Sequence, residues 1–144
     1  MAEERSYLIM LVDDEPDIIT YLAMILEDAG YSTVFASDTE SALPVLRKSK
    51  PDLLCLDIMM PRRSGISMYT EIKKDPELKD IPVLIVSAFS RLDDFVGERF
   101  KRIVPEQGVP QPEAFIEKPI RVETFLEMVK SLLSGSNAGG KAGT

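Results

Sequence analysis

The chain contains no histidine in 144 residues, and that absence removes whole classes of chemistry. Ser–His–Asp and Cys–His arrangements, imidazole acid–base catalysis and His-ligated zinc are all excluded. The chain also cannot itself carry phosphohistidine. It has one cysteine, Cys55, so no internal disulfide can form, and a reducing compartment is the expectation. Flanked by Leu54 and Leu56, that thiol reads as core and not as a nucleophile. No apolar run approaches the length of a membrane span, and Tyr7–Val12 is too short for a signal peptide. A soluble, cytoplasmic protein is expected. A basic face is missing too: the net charge of −7 argues against nonspecific binding to nucleic acid or membrane surfaces. Neither a P-loop nor a GxGxxG follows any apolar run, so nucleotide and flavin binding find no support. Whatever chemistry remains must run on carboxylates, hydroxyls, lysines and an oxygen-preferring metal.

What is present is an ordinary globular composition, 44% hydrophobic and 28% charged, enough for one domain with a proper core. Short apolar runs at Tyr7–Val12, Ser32–Ala36, Leu53–Ile58, Pro82–Val86 and Ala114–Ile116 read as strands. Helical periodicity fills the intervals. Ile18, Leu22, Ile25, Leu26 and Ala29 form one face that starts behind Pro16 and stops at Gly30. Thr39–Ser49 puts Ala42, Leu43, Val45 and Leu46 inward, with Pro44 badly placed, so that helix either starts late or bends. Ile66, Met68, Tyr69 and Ile72 mark a third helix, ending near Asp75-Pro76. Ser90 to Asp93 resembles a capping box ahead of a fourth stripe, Leu92 to Val104. A proline-rich loop covers 105–113, and Val122, Phe125, Leu126, Val129 and Leu132 form the last helical face. Strand and helix alternate five times, which predicts a doubly wound (βα)5 α/β fold, flavodoxin-like, with a parallel sheet in the order 2-1-3-4-5. The domain is expected over residues 6–133, with a Gly/Ser/Ala/Asn-rich flexible tail over 134–144.

Polar residues then collect at strand ends. Asp13 and Asp14 follow the first strand, Asp57 ends the third, Ser87 ends the fourth and Lys118 follows the fifth. In such a sheet all five fall on the carboxyl edge, where strands one and three are neighbours at the topological switch point. Taken singly, each has a bland reading: Asp13-Asp14 as a helix cap, Ser87 as a turn residue, Lys118 as a solvated surface lysine. Together they are an acidic pocket whose repulsion asks for positive charge. A bound Mg²⁺ and the Lys118 ammonium would balance the three carboxylates, and hard oxygen ligands suit that ion. The chemistry this supports is phosphoryl transfer to a carboxylate, with Asp57 attacking phosphorus in line. Mg²⁺ and Lys118 would neutralise the phosphoryl oxygens. Ser87 would donate its hydroxyl to one of them, and Ala88 beside it leaves room for the group.

These residues resemble the receiver domains of two-component response regulators, over about Ser6 to Leu133. The matching features are Asp13-Asp14, the run Asp57-x-x-Met60-Pro61-x-x-x-Gly65, Ser87-Ala88 and Lys118-Pro119. The resemblance implies that Asp57 is the phosphoacceptor, Asp14 a direct Mg²⁺ ligand, Asp13 a ligand through water and the Met59 backbone carbonyl a third protein ligand. It implies a cis Lys118–Pro119 bond. It implies a histidine kinase or phosphotransfer protein as donor, docking at Ile18, Pro119 and Ile120. Ser87 and Phe115 would form the switch pair, Ser87 moving toward the phosphoryl group and the aromatic turning inward behind it. Output would run through an unidentified protein contacting the fourth helix and fifth strand, since no effector domain is evident. Such a chain is a signalling switch that catalyses only its own phosphorylation and dephosphorylation.

Two departures matter. The stretch between Ser87 and Lys118 is longer than usual for the family, in the region many receivers use for partner contact. Phe115 stands where tyrosine is frequent, so any role needing a hydroxyl is lost. Two rival readings remain: a receiver-like adaptor that is never phosphorylated, and a metal-dependent phosphatase using an aspartyl phosphate. The phosphatase would want a second acid two residues after Asp57, and that position is Met59. Met59 and Phe89 flank the expected path of attacking water and, being apolar, position it poorly. Self-dephosphorylation should therefore be slow, and the phosphoryl adduct, followed by intact mass over time, should decay faster in Met59→Ala or Phe89→Ala. Unchanged decay in both variants would refute this.

Overall fold

A computed structural model of the chain describes residues 6–58, 65–87 and 109–134. Along them run β1 (Leu8–Val12), α1 (Pro16–Asp28), β2 (Ser32–Ala36), α2 (Thr39–Ser49), β3 (Leu53–Asp57), α3 (Gly65–Lys74), β4 (Val83–Ser87), β5 (Ala114–Glu117) and α4 (Val122–Ser134). The five strands pair in parallel in the order β2-β1-β3-β4-β5, the doubly wound sheet that the alternation predicts. The turn carrying Met59, Met60 and Pro61, residues Ala88 and Phe89, the helix expected over Leu92–Val104 and the tail beyond Ser134 lie outside the described residues.

The apolar strands follow from being covered twice, because a parallel sheet buries both faces and so needs apolar side chains at every position. Leu54 and Leu56 of β3 join Met10, Val12, Val83 and Ile85 beneath α2 and α3. Their neighbours Leu53 and Cys55 point the other way, joining Ile9, Leu11, Leu84, Val86 and Ile116 beneath α1 and α4. Helix periodicity located the faces but not always their centres. The buried stripe of α1 is Ile19, Leu22 and Leu26, one residue round from Ile18, which is only half-buried. Ala29 is the exposed C-cap of that helix rather than part of its apolar face, and Val122 at the start of α4 is largely exposed.

Pro44 does not delay α2. The helix starts at Thr39, where Asp38 caps it by accepting a 2.7 Å bond from the Ser41 amide. Pro44 then sits on the exposed side, while Ala42 and Leu46 are fully buried. Proline here removes one helical donor, a cost that the packed face offsets.

Two close contacts fix opposite edges of the sheet. At the carboxyl edge, Gly65 opens α3 directly against the end of β3. A Cβ there would stand 2.5 Å from the Asp57 carbonyl oxygen and 2.7 Å from the Ile58 Cα. Only glycine allows that approach. At the amino edge, the Lys73 side chain is 1% exposed. Its ammonium donates to the carbonyls of Lys79 at 3.2 Å and Ile81 at 3.1 Å. It also lies 3.5 Å from a Glu113 oxygen, and the other Glu113 oxygen accepts the Val83 amide at 2.8 Å. Burial lowers the pKa of Lys73, and attraction to Glu113 works against that. Gly65→Ala should destabilise the protein by about 1–3 kcal/mol through overpacking against backbone. Lys73→Ala should cost about 1–3 kcal/mol, because it strips two backbone carbonyls and a carboxylate of their donor. Urea unfolding curves check both; wild-type midpoints would refute them.

Candidate functional site

Strand register brings the acids together. Val12 pairs with Leu56, so the residues that follow them, Asp13 and Asp57, leave adjacent strands side by side. Asp13 continues the ladder one step further, its amide donating to the Ala36 carbonyl at 3.2 Å. Asp13, Asp14 and Asp57 each offer a carboxylate oxygen within 4.8 Å of the others, with Asp13 and Asp57 buried and Asp14 half-buried. The helix-cap reading of Asp13 is partly right. Its Oδ1 accepts the Glu15 amide at 2.9 Å, an Asx-type turn that steers the chain into Pro16 and α1. The N-cap itself is Glu15, whose side chain makes no cap bond. Asp13 thus shapes the turn with one oxygen and faces the pocket with the other.

Lys118 arrives from the end of β5. Its ammonium stands 2.9 Å from Asp13 Oδ2, 2.9 Å from Glu15 Oε1 and 3.5 Å from Asp57 Oδ2. Burial pushes its pKa down, but the hydrogen bonds to Asp13 and Glu15 and the charge of Asp57 outweigh it, so the net shift is upward. The lysine therefore stays charged at every physiological pH. The fold gathers these groups because β1 and β3 meet at the point where the sheet order reverses, and Lys118 reaches in from the end of β5 on the same edge. Glu15 is the residue that sequence reasoning missed. Its signal was modest: a third acid directly after Asp13-Asp14, at the mouth of the pocket.

The other expected residues distribute as follows. Ser87 is the last residue of β4, in register with Glu117. Phe115 pairs with Ile85 on β5, half-buried against the cluster under α2 and α3. The Lys118–Pro119 bond is cis. Ile18 is half-buried and Pro119 exposed. Ile120 is buried, its side chain belonging to the core beneath α1 and α4. Its carbonyl accepts the Tyr21 hydroxyl at 3.1 Å. Met59 and Ala88 lie outside the described residues. Cys55 is buried and its thiol is pushed up to about 12 by that burial, which leaves no thiolate at neutral pH.

An acidic pocket of hard oxygens, open enough to leave Asp14 half-exposed, has the chemistry of a Mg²⁺ site more than of a softer metal. The sequence profile of the response regulator receiver domain matches residues 9–130. The polar-differentiation response regulator DivK of Brucella anthropi is 36% identical over 125 residues, covering 87% of this chain and 94% of its own. The signal receiver domain of a signal transduction histidine kinase from Syntrophus aciditrophicus superposes with a TM-score of 0.75 at 29% identity, covering 95% of this chain and 97% of that one. The chemotaxis protein CheY4 of Vibrio cholerae, at 23% identity, shares the fold, with a TM-score of 0.74 over 90% of this chain and all of its own. With its strand order, its strand-end acids and its lysine all in place, the chain belongs to the response regulator receiver domains of two-component signalling.

Proposed function

We propose that the protein is a Mg²⁺-dependent phosphoacceptor switch whose phosphorylated residue is Asp57. The observation that carries this is the buried Asp57 carboxylate grouped with those of Asp13 and Asp14, with the Lys118 ammonium 3.5 Å away. In the transfer, an Asp57 oxygen forms a bond to the phosphorus of a phosphohistidine on a histidine kinase or phosphotransfer protein. The P–N bond breaks, and its electron pair stays with the imidazole, which takes up a proton. Asp57, Asp14 and the Met59 carbonyl would hold Mg²⁺ directly, and Asp13 through water. When bound, the ion supplies positive charge to the phosphoryl oxygens. Lys118 supplies charge from the protein's side, and the Ser87 hydroxyl and the space beside Ala88 receive the remaining oxygens.

The acyl phosphate then biases a two-state element, with Ser87 and Phe115 as the switch pair. The half-burial of Phe115 suits an aromatic that can turn between two positions. Residues 6–133 form the switching domain and 134–144 a tail, working in the cytoplasm. Ile18 and Pro119 belong to the donor's docking surface, with Ile120 supporting it from the core. Output passes to a partner protein that contacts β5 and the sequence stretch 92–104.

The test is intact mass after incubation with acetyl phosphate, with and without Mg²⁺. One phosphoryl adduct is expected, absent in Asp57→Ala and without Mg²⁺, and reduced about tenfold or more in Lys118→Ala, in line with the loss of one charged oxyanion donor. An adduct that persists in Asp57→Ala would refute the assignment. No adduct, together with no beryllofluoride complex in Mg²⁺, would favour a receiver-like adaptor.

A further inference from the structure

We infer that Glu15 is a positioning residue that holds Lys118 in the unphosphorylated protein and competes with the phosphoryl group for it; this rests on the phosphoacceptor reading above. A lysine ammonium has three donors, and three carboxylates already stand around this one. Asp13 and Glu15 are each at 2.9 Å and Asp57 is at 3.5 Å. An anionic group arriving on Asp57 draws the ammonium toward itself, at the expense of the partner least firmly held.

The three are not equally free to do so. Asp13 and Asp57 are each 4% exposed at the side chain. Asp13 is further fixed by the Glu15 amide on its second oxygen, at 2.9 Å. Glu15 is 59% exposed and stands on the first-turn side of α1, so its carboxylate can return to water with little desolvation cost in either direction. It is the exchangeable partner. Its charge also acts at the mouth of the pocket, where it repels an incoming anion and attracts a cation. Both effects set Glu15 against the phosphorylated state and in favour of the metal-bound, unphosphorylated one.

These opposite signs make the inference testable without any turnover measurement. In the full chain, Mg²⁺ alone is titrated first, and beryllofluoride is then titrated at saturating Mg²⁺, each followed by thermal shift. Glu15→Gln should bind beryllofluoride about two- to fivefold more tightly than wild type, the range expected for an exposed ion pair. It should bind Mg²⁺ more weakly. The beryllofluoride difference should shrink as salt is raised from about 0.05 M to about 0.5 M, because screening removes a charge effect but leaves a packing effect intact. Equal or weaker beryllofluoride binding in Glu15→Gln would overturn the inference, as would a gain that survives high salt. Beryllofluoride bound by neither protein would overturn the phosphoacceptor reading itself.

Discussion

Mutual repulsion among three carboxylates is the constraint that the rest of this structure has to satisfy. Two unit charges about 5 Å apart repel by on the order of 3 kcal/mol at an effective dielectric near 20, and Asp13, Asp14 and Asp57 crowd at that scale. Local chain preferences would not hold them there. The strands beneath do, because β1 and β3 are buried on both faces and their register is locked by two apolar layers. A one-residue slip of either strand would turn a layer of leucines toward the wrong helices, so the acids are held by the cost of that slip. Lys118 relieves part of the repulsion, and it follows β5, a strand two places away from that of Asp57 in the sheet. The pocket is thus a consequence of sheet order as much as of its own residues.

Much of this was legible from the chain because it depends on short-range signals. Short apolar runs of three to six residues, ending in or followed by polar residues, are strong evidence for strands whose ends meet. Legibility failed where a long polar side chain takes an unexpected path. Lys73 reads as a surface residue, yet its side chain is buried and reaches two backbone carbonyls and a carboxylate. Its aliphatic stem makes it a passable core residue while its head is satisfied locally. Glu15 is locally just another acid at a helix start, and only the fold brings Lys118, more than a hundred positions later, beside it. Ile18 and Ile19 could not be separated by periodicity, since adjacent residues on a helix differ by about 100° and either could lead the face. In α2, tertiary packing of Ala42 and Leu46 overrode the local penalty of Pro44.

The two edges of the sheet use charge differently. At the amino edge, Lys73 and Glu113 close the start of β4 and β5 with every visible donor directed at a backbone group or a carboxylate, an arrangement with no reason to move. At the carboxyl edge, the charges are unevenly exposed and unevenly tied. Tightly tied and more loosely tied charges are therefore separated along the strand axis: β5 is preceded by Glu113, carries Phe115 at its middle and is followed by Lys118. A strand of four residues spans only about 13 Å, so the two charged ends are close neighbours.

The single thiol has a practical corollary. Cys55 faces inward beneath α1 and α4, and burial raises its pKa, so reagents that attack thiolates find almost none on the native protein. An engineered surface cysteine would then be the one reactive handle on an otherwise silent background. Fluorophores or spin labels could be placed singly on either side of the sheet without first removing the native residue, and distances across the molecule could be followed in solution on the unaltered core.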